Sequence, residues 1–219
     1  MTSRADVVAR VAADVLALSA AAIRRVAVDG VDGAGKTYFA DELGAELVRR
    51  GTCVVRASVD GFHNPPAVRY RRGCSSPEGF FRDSYDYDRL RRLLLDPLGP
   101  GGDGRYVRRI YDWQAERPVD CPVEEALPGS VLVFDGIFAH RDELVACWDY
   151  SIWLDVPFEV SIPRGAGRGY GDPDPAAPAN RRYIEGQRRY LAACRPCERA
   201  SVVVDNEHLD RPRVTHPPG

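Results

Sequence analysis

The chain has 219 residues, of which 44% are hydrophobic and 28% charged, and a formal net charge of −2. That length and composition suit one globular domain with a substantial core and exclude disordered and fibrous classes. The slightly acidic balance speaks against a nucleic-acid partner, because proteins that neutralise backbone phosphates are usually basic.

Residues 4 to 20 read as an amphipathic helix, because Arg4, Asp6, Arg10 and Asp14 interrupt an Ala- and Val-rich run at helical intervals. The same charges argue against a signal peptide, and no stretch approaches the ~20 apolar residues of a bilayer span. A cytoplasmic chain with no membrane partner is therefore expected, with its six cysteines reduced. Arg25 to Gly30 is a short apolar run ending in glycine, the pattern of a buried parallel strand. A helix follows from Lys36 to Arg50, stopped by Gly51. Cys53 to Asp60, Val131 to Asp135, Ser151 to Val156 and Ser201 to Asp205 read as four more strands. Strands alternating with helical or irregular segments predict an α/β fold, a five-stranded parallel sheet with helices on both faces.

Two stretches resist that pattern. Residues 61 to 120 are rich in Arg, Tyr, Asp and Pro, with one helical segment near Tyr87 to Leu95. Residues 163 to 180 are rich in Gly, Pro and Arg. The first is expected to be a substrate-binding insertion and the second a mobile lid, both within a single domain spanning residues 1 to 219. Cys194 and Cys197 form a lone C-x-x-C, with neither a second pair nor a strand-to-helix redox context.

Gly30 to Thr37 fits G-x-x-x-x-G-K-[ST], between a strand and a helix. This is the P-loop pattern: its glycines let main-chain amides face phosphates, and the helix N-terminus adds partial positive charge. ATP with Mg²⁺ is the expected cofactor pair. Gly30, Asp32, Gly33, Ala34, Gly35, Lys36, Thr37 and Tyr38 form the expected nucleotide cradle. Lys36, the chain's only lysine, would reach the outer phosphates, and the Thr37 hydroxyl would meet the metal. With that lysine already used, the N-K-x-D or T-K-x-D sequence of GTPases cannot occur. A compact phosphotransferase is the class that remains.

Phosphoryl transfer needs a metal holder and a group that orients or deprotonates the acceptor. Asp135 ends an apolar strand as a metal-holding acid does, and Asp60 ends the second strand as the candidate base within reach of the same metal. In parallel sheets, ligands bind beyond the carboxyl ends of the strands, so Gly30, Asp60 and Asp135 should converge there. Arg164 and Arg168, near the lid, would neutralise charge developing on the transferred group.

From about residue 24 to 206 the chain resembles the uridine kinase and phosphoribulokinase group of P-loop kinases. The resemblance rests on the P-loop, on Asp60-Gly-Phe-His63, and on Asp83-Ser-Tyr-Asp-Tyr-Asp88. It continues through Ile110-Tyr-Asp-Trp113, Asp135-Gly-Ile137 and Ala200-Ser-Val-Val-Val-Asp-Asn206. It implies a small-molecule kinase whose catalytic base is Asp60 and whose acceptor is the 5′-hydroxyl of a nucleoside. It further implies that Asp83 contacts ribose hydroxyls, that Tyr111 and Trp113 line a base pocket, and that Gln187 lies near the substrate. Homo-oligomers are compatible with the resemblance.

Two positions depart from the group's pattern. His63 stands where uridine kinases typically carry tyrosine, and Glu116 stands where they carry a histidine five residues after the pocket tyrosine. An ionised carboxylate only accepts hydrogen bonds, so Glu116 suits an amino group better than a carbonyl. A same-fold kinase for a sugar, a pantothenate-like acid or a nucleoside-type natural product is the alternative.

Overall fold

The computed structural model describes residues 3–19 and 23–215. Helix α1 (Arg4–Ala17) opens on a capping box, in which Ser3 and Asp6 satisfy each other's main-chain amides. Residue 20, the last of the expected first helix, lies outside the described residues. Val7, Val8, Val11, Ala12 and Val15 form the buried stripe of α1, which packs on the helix after the P-loop.

The central sheet contains the five strands read from the sequence and one more. These are β1 (Arg24–Gly30), β2 (Val54–Ser58), β3 (Val131–Asp135), β4 (Tyr150–Asp155), β5 (Val202–Asp205) and β6 (Arg213–Thr215). The spatial order is β6-β5-β4-β1-β3-β2. All neighbours are parallel except β6, which runs antiparallel to β5 along the edge. Every residue of β1 and β3 is buried, as expected of inner strands covered on both faces. Arg24 and Arg25 are tolerated there because Arg24 donates to the Gly129 carbonyl at 2.7 Å and Arg25 pairs with Asp149.

Register sets the functional edge. Val28 of β1 lies beside Asp135 of β3, and Ser58 of β2 lies on the other side of Asp135. The chain therefore leaves β1 and β2 at the same carboxyl edge, and Asp60 falls two residues beyond Ser58, in the short 3₁₀ turn Val59–Phe62. Helices α2 (Lys36–Arg49), α3 (Pro77–Asp83), α4 (Phe158–Ala166) and α5 (Arg181–Cys194) complete the main frame. The expected insertion holds α3, a helical stretch from Tyr87 to Leu95 and a small hairpin pairing Tyr111–Asp112 with Arg117–Pro118.

The expected lid starts inside a helix. Proline and glycine at 163 and 165 suggested a loop, yet α4 runs on to Ala166. Beyond it, Asn180 gathers the loop by donating to the carbonyls of Asp172 and Asp174 at 2.7 and 2.8 Å.

Candidate active site

The phosphate loop joins β1 to α2. Gly33 and Gly35 hold φ of +76° and +92°, a region that disfavours side chains. A Cβ on Gly33 would also sit 2.0 Å from the Ser161 carbonyl oxygen of α4. Gly35 is the N-cap of α2 and no side chain caps it, so the first-turn amides are available to an anion. The Lys36 ammonium donates to the carbonyls of Gly30 and Val31 at 3.0 and 2.9 Å. From beneath, fully buried Asn206 donates to the Ala34 carbonyl at 2.8 Å. This glycine-lined, amide-rich turn with one ammonium fits a triphosphate.

The Thr37 hydroxyl donates to Asp135 Oδ2 at 2.8 Å, so two hard oxygen ligands for a divalent cation stand side by side. The other oxygen of Asp135 accepts from Arg56 Nη2 at 3.0 Å. No group of three or more His, Cys, Asp or Glu side chains suited to a metal occurs among the described residues. The donor set therefore fits an ion that takes its remaining ligands from phosphate and water, as Mg²⁺ does.

A cleft of about 890 Å³ opens beside the loop, lined by Asp32, Gly33, Lys36, Thr37, Asp60 and Asp135 at one end and by His63, Glu116, Trp113 and Tyr170 at the other. Asp60 is exposed to solvent within this cleft, yet protein atoms surround it closely enough to desolvate its carboxyl in part. That desolvation, followed by the charge of Asp135, raises its pKa, while Lys36 pulls the other way. Tyr85 reaches Asp60 Oδ1 at 3.5 Å, a long contact. The carboxyl of Asp32 is likewise raised by desolvation, against the pull of Lys36.

Four rings make one wall of the cleft. His63 lies 4.5 Å from Tyr85 and 6.0 Å from Trp113, and Trp113 lies 6.2 Å from Tyr170. His63 Nδ1 sits 3.0 Å from the Asp60 carbonyl, which can only accept, so Nδ1 carries the proton and Nε2 is left as an acceptor. Desolvation lowers the imidazole pKa to about 4, and the ring is neutral at physiological pH. Glu116, at φ +50°, receives Arg69 Nη2 at 2.5 Å and the Tyr111 hydroxyl at 3.1 Å. Burial raises the Glu116 carboxyl, and these two donors more than offset it, leaving the pKa lowered.

Not every sequence-predicted residue reaches the cleft. Gly30, Ala34, Tyr38, Asp83, Tyr111, Arg164 and Gln187 do not line it. Asp83 is 2% exposed, and its carboxylate is taken up by Arg71 and Arg72 at 2.5 and 2.8 Å, at the end of α3. The ribose contact implied for it is unsupported by this placement. Tyr111 is buried and donates its hydroxyl to Glu116. Gln187 reaches the loop instead, bonding Asp32. Arg164 donates to the carbonyls of Asn206 and Glu207. Arg168 does line the cleft, with its guanidinium 4.9 Å from the centre of the exposed Tyr38 ring.

No protein-family model and no curated protein matches this sequence. Solved structures do. A possible uridine kinase from Bacillus stearothermophilus superposes with a TM-score of 0.73 at 21% identity, over 90% of this chain and 97% of that one. A protein provisionally described as a fructose transport system kinase, from Silicibacter sp., gives 0.67 at 25% identity over 85% of this chain and 95% of its own. The fold is that of a P-loop kinase. A D-glycerate 3-kinase from Cryptococcus neoformans gives 0.62 at 11% identity and covers 96% of this chain and 99% of that one.

Within this P-loop kinase frame, several cleft-shaping residues escaped the sequence reading. Arg56 was detectable in principle: an arginine inside an apolar strand needs a buried acceptor, and Asp135 is one. Asp29 is fully buried and accepts from Gly30 N at 2.7 Å, from His140 Nδ1 at 2.8 Å and from the Tyr190 hydroxyl at 2.5 Å. It ties the start of the loop to α5. Arg69 carried no local signal, because its partner lies 47 positions away, and Tyr85 lies inside the Asp83–Asp88 block but its partner lies 25 positions away.

Proposed function

We propose that this chain is an ATP- and Mg²⁺-dependent small-molecule kinase that phosphorylates a hydroxyl group. The observation that carries this is the shared cleft, where the phosphate loop, the Thr37–Asp135 pair and Asp60 face one another. In the transfer, the acceptor oxygen bonds to the γ-phosphorus while the bond from that phosphorus to the β–γ bridging oxygen breaks, releasing ADP. Asp60 accepts the hydroxyl proton. Its raised pKa makes the Asp60 carboxylate a better base than an ordinary one. Lys36 and the loop amides hold the phosphates, and Arg168 adds positive charge from the cleft wall. Thr37 and Asp135 would hold the metal, which when bound neutralises phosphate charge.

For the acceptor we propose the 5′-hydroxyl of a nucleoside or nucleoside-like compound. The row of His63, Tyr85, Trp113 and Tyr170 suits a flat ring, and the cleft volume lies at the upper end of small-molecule sites. A second reading, another alcohol such as a sugar or a hydroxy acid, is favoured by Glu116 at the far end and by the withdrawal of Asp83 from the cleft. The proteins of similar fold are described as a possible uridine kinase, a fructose transport system kinase and a D-glycerate 3-kinase. ADP release from ATP should be measured with uridine, cytidine, D-fructose, D-glycerate and pantothenate in turn. Release that depends on uridine or cytidine supports the nucleoside reading. Activity confined to another alcohol replaces it with the second.

A further inference from the structure

We infer that the side chain of Asp32, inside the phosphate loop, binds a second hydroxyl of the acceptor and so selects polyols over simple alcohols. This rests on the kinase reading above. A loop residue needed only for its main-chain amide has no use for a fixed side chain, yet that of Asp32 is fixed. Gln187 of α5 is fully buried, and its Oε1 accepts the Asp32 amide at 2.7 Å while its Nε2 donates to Asp32 Oδ2 at 3.1 Å. The same Nε2 also donates to the Tyr183 carbonyl at 3.1 Å, which fixes the amide itself. One buried amide thus sets both the backbone and the rotamer of Asp32.

Asp32 Oδ1 meets no protein donor among the described residues, and Asp32 lines the same cleft as Asp60. As an ionised carboxylate oxygen it accepts and does not donate, so the group that suits it is a hydrogen-bond donor. Its neighbours share that character. Asp60, His63 Nε2 and Glu116 all offer lone pairs to the acceptor half of the cleft. A compound that brings one hydroxyl to Asp60 and another to Asp32 satisfies both carboxylates. A simple alcohol leaves the second without a partner, which costs binding.

Asp32→Asn is the test, because its amide oxygen can still accept from Gln187 and so retain the loop. Each alcohol that the wild-type enzyme phosphorylates is paired with its monodeoxy analogues, starting from uridine, cytidine, D-fructose and D-glycerate. The expected result is a rise of about 10- to 100-fold in KM for the parent polyol, the range for a lost charged hydrogen bond. KM for ATP should stay within about threefold, and for one deoxy analogue the variant and wild type should be nearly equal, since the partner is already absent. Equal losses on the parent and every deoxy analogue, or a parallel rise in KM for ATP, would confine Asp32 to shaping the loop and overturn the inference. Failure of the wild type on every alcohol is a different result, and would sink the kinase reading together with this inference.

Discussion

Asp60 is the residue on which the proposed chemistry turns. Asp60→Asn should leave ATP affinity nearly intact and lower kcat at least ~100-fold, the usual scale for losing a general base. Unchanged turnover would remove Asp60 from that role. Its pKa is raised and its ionised form is the active one, so kcat/KM for the acceptor should rise with pH through an apparent pKa above the ordinary carboxylate range. That limb should vanish in any residual activity of the asparagine variant. Lys36→Ala should weaken both nucleotide binding and rate, read by calorimetry and by turnover. Lys36, Thr37 and Asp135 were legible in the sequence because a loop pattern and a strand end fix where such residues lie. Asp83 and Tyr111 were not. Their surroundings come from Arg71, Arg72 and Glu116, irregular-segment residues whose positions depend on tertiary packing.

The loop-and-helix element shows how backbone conformation carries function. Gly33→Ala should cost roughly 2 kcal/mol or more, because it places a side chain at positive φ against a carbonyl of α4. It should also weaken ATP binding; a denaturant titration and a calorimetric Kd would check both. Asp29→Asn acts on the same element from below. It replaces a carboxylate oxygen that accepts from His140 and Tyr190 with a group that does not suit them all. A stability loss of about 2–4 kcal/mol in urea denaturation is expected, the scale for a broken buried network. The five parallel strands fell within two residues of their predicted bounds at every end, since apolar runs ending in Gly or Asp mark inner strands clearly. Strand β6 has only three residues, on an edge, and such a segment has too little pattern to read. The hairpin that carries Tyr111 and Glu116 is as short, so its contribution to the cleft was legible only from the motif around it.

At the scale of the whole molecule, strand order and register bring three chain-distant segments to one sheet edge, and the insertion and the α4–α5 region wall the space above it. The architecture was legible because it follows from parallel-strand pattern and from where a P-loop must sit. The acceptor was not, because its surroundings are assembled from irregular segments. No helix among the described residues is long and apolar enough to cross a membrane. Direct transfer of the outermost phosphoryl group of ATP to an alcohol in this cleft can be followed with γ-labelled ATP. The label should appear in the phosphorylated alcohol, its appearance should require the acceptor, and Asp60→Asn should nearly abolish it. Label released only as inorganic phosphate, at the same rate with or without every alcohol offered, would contradict direct transfer.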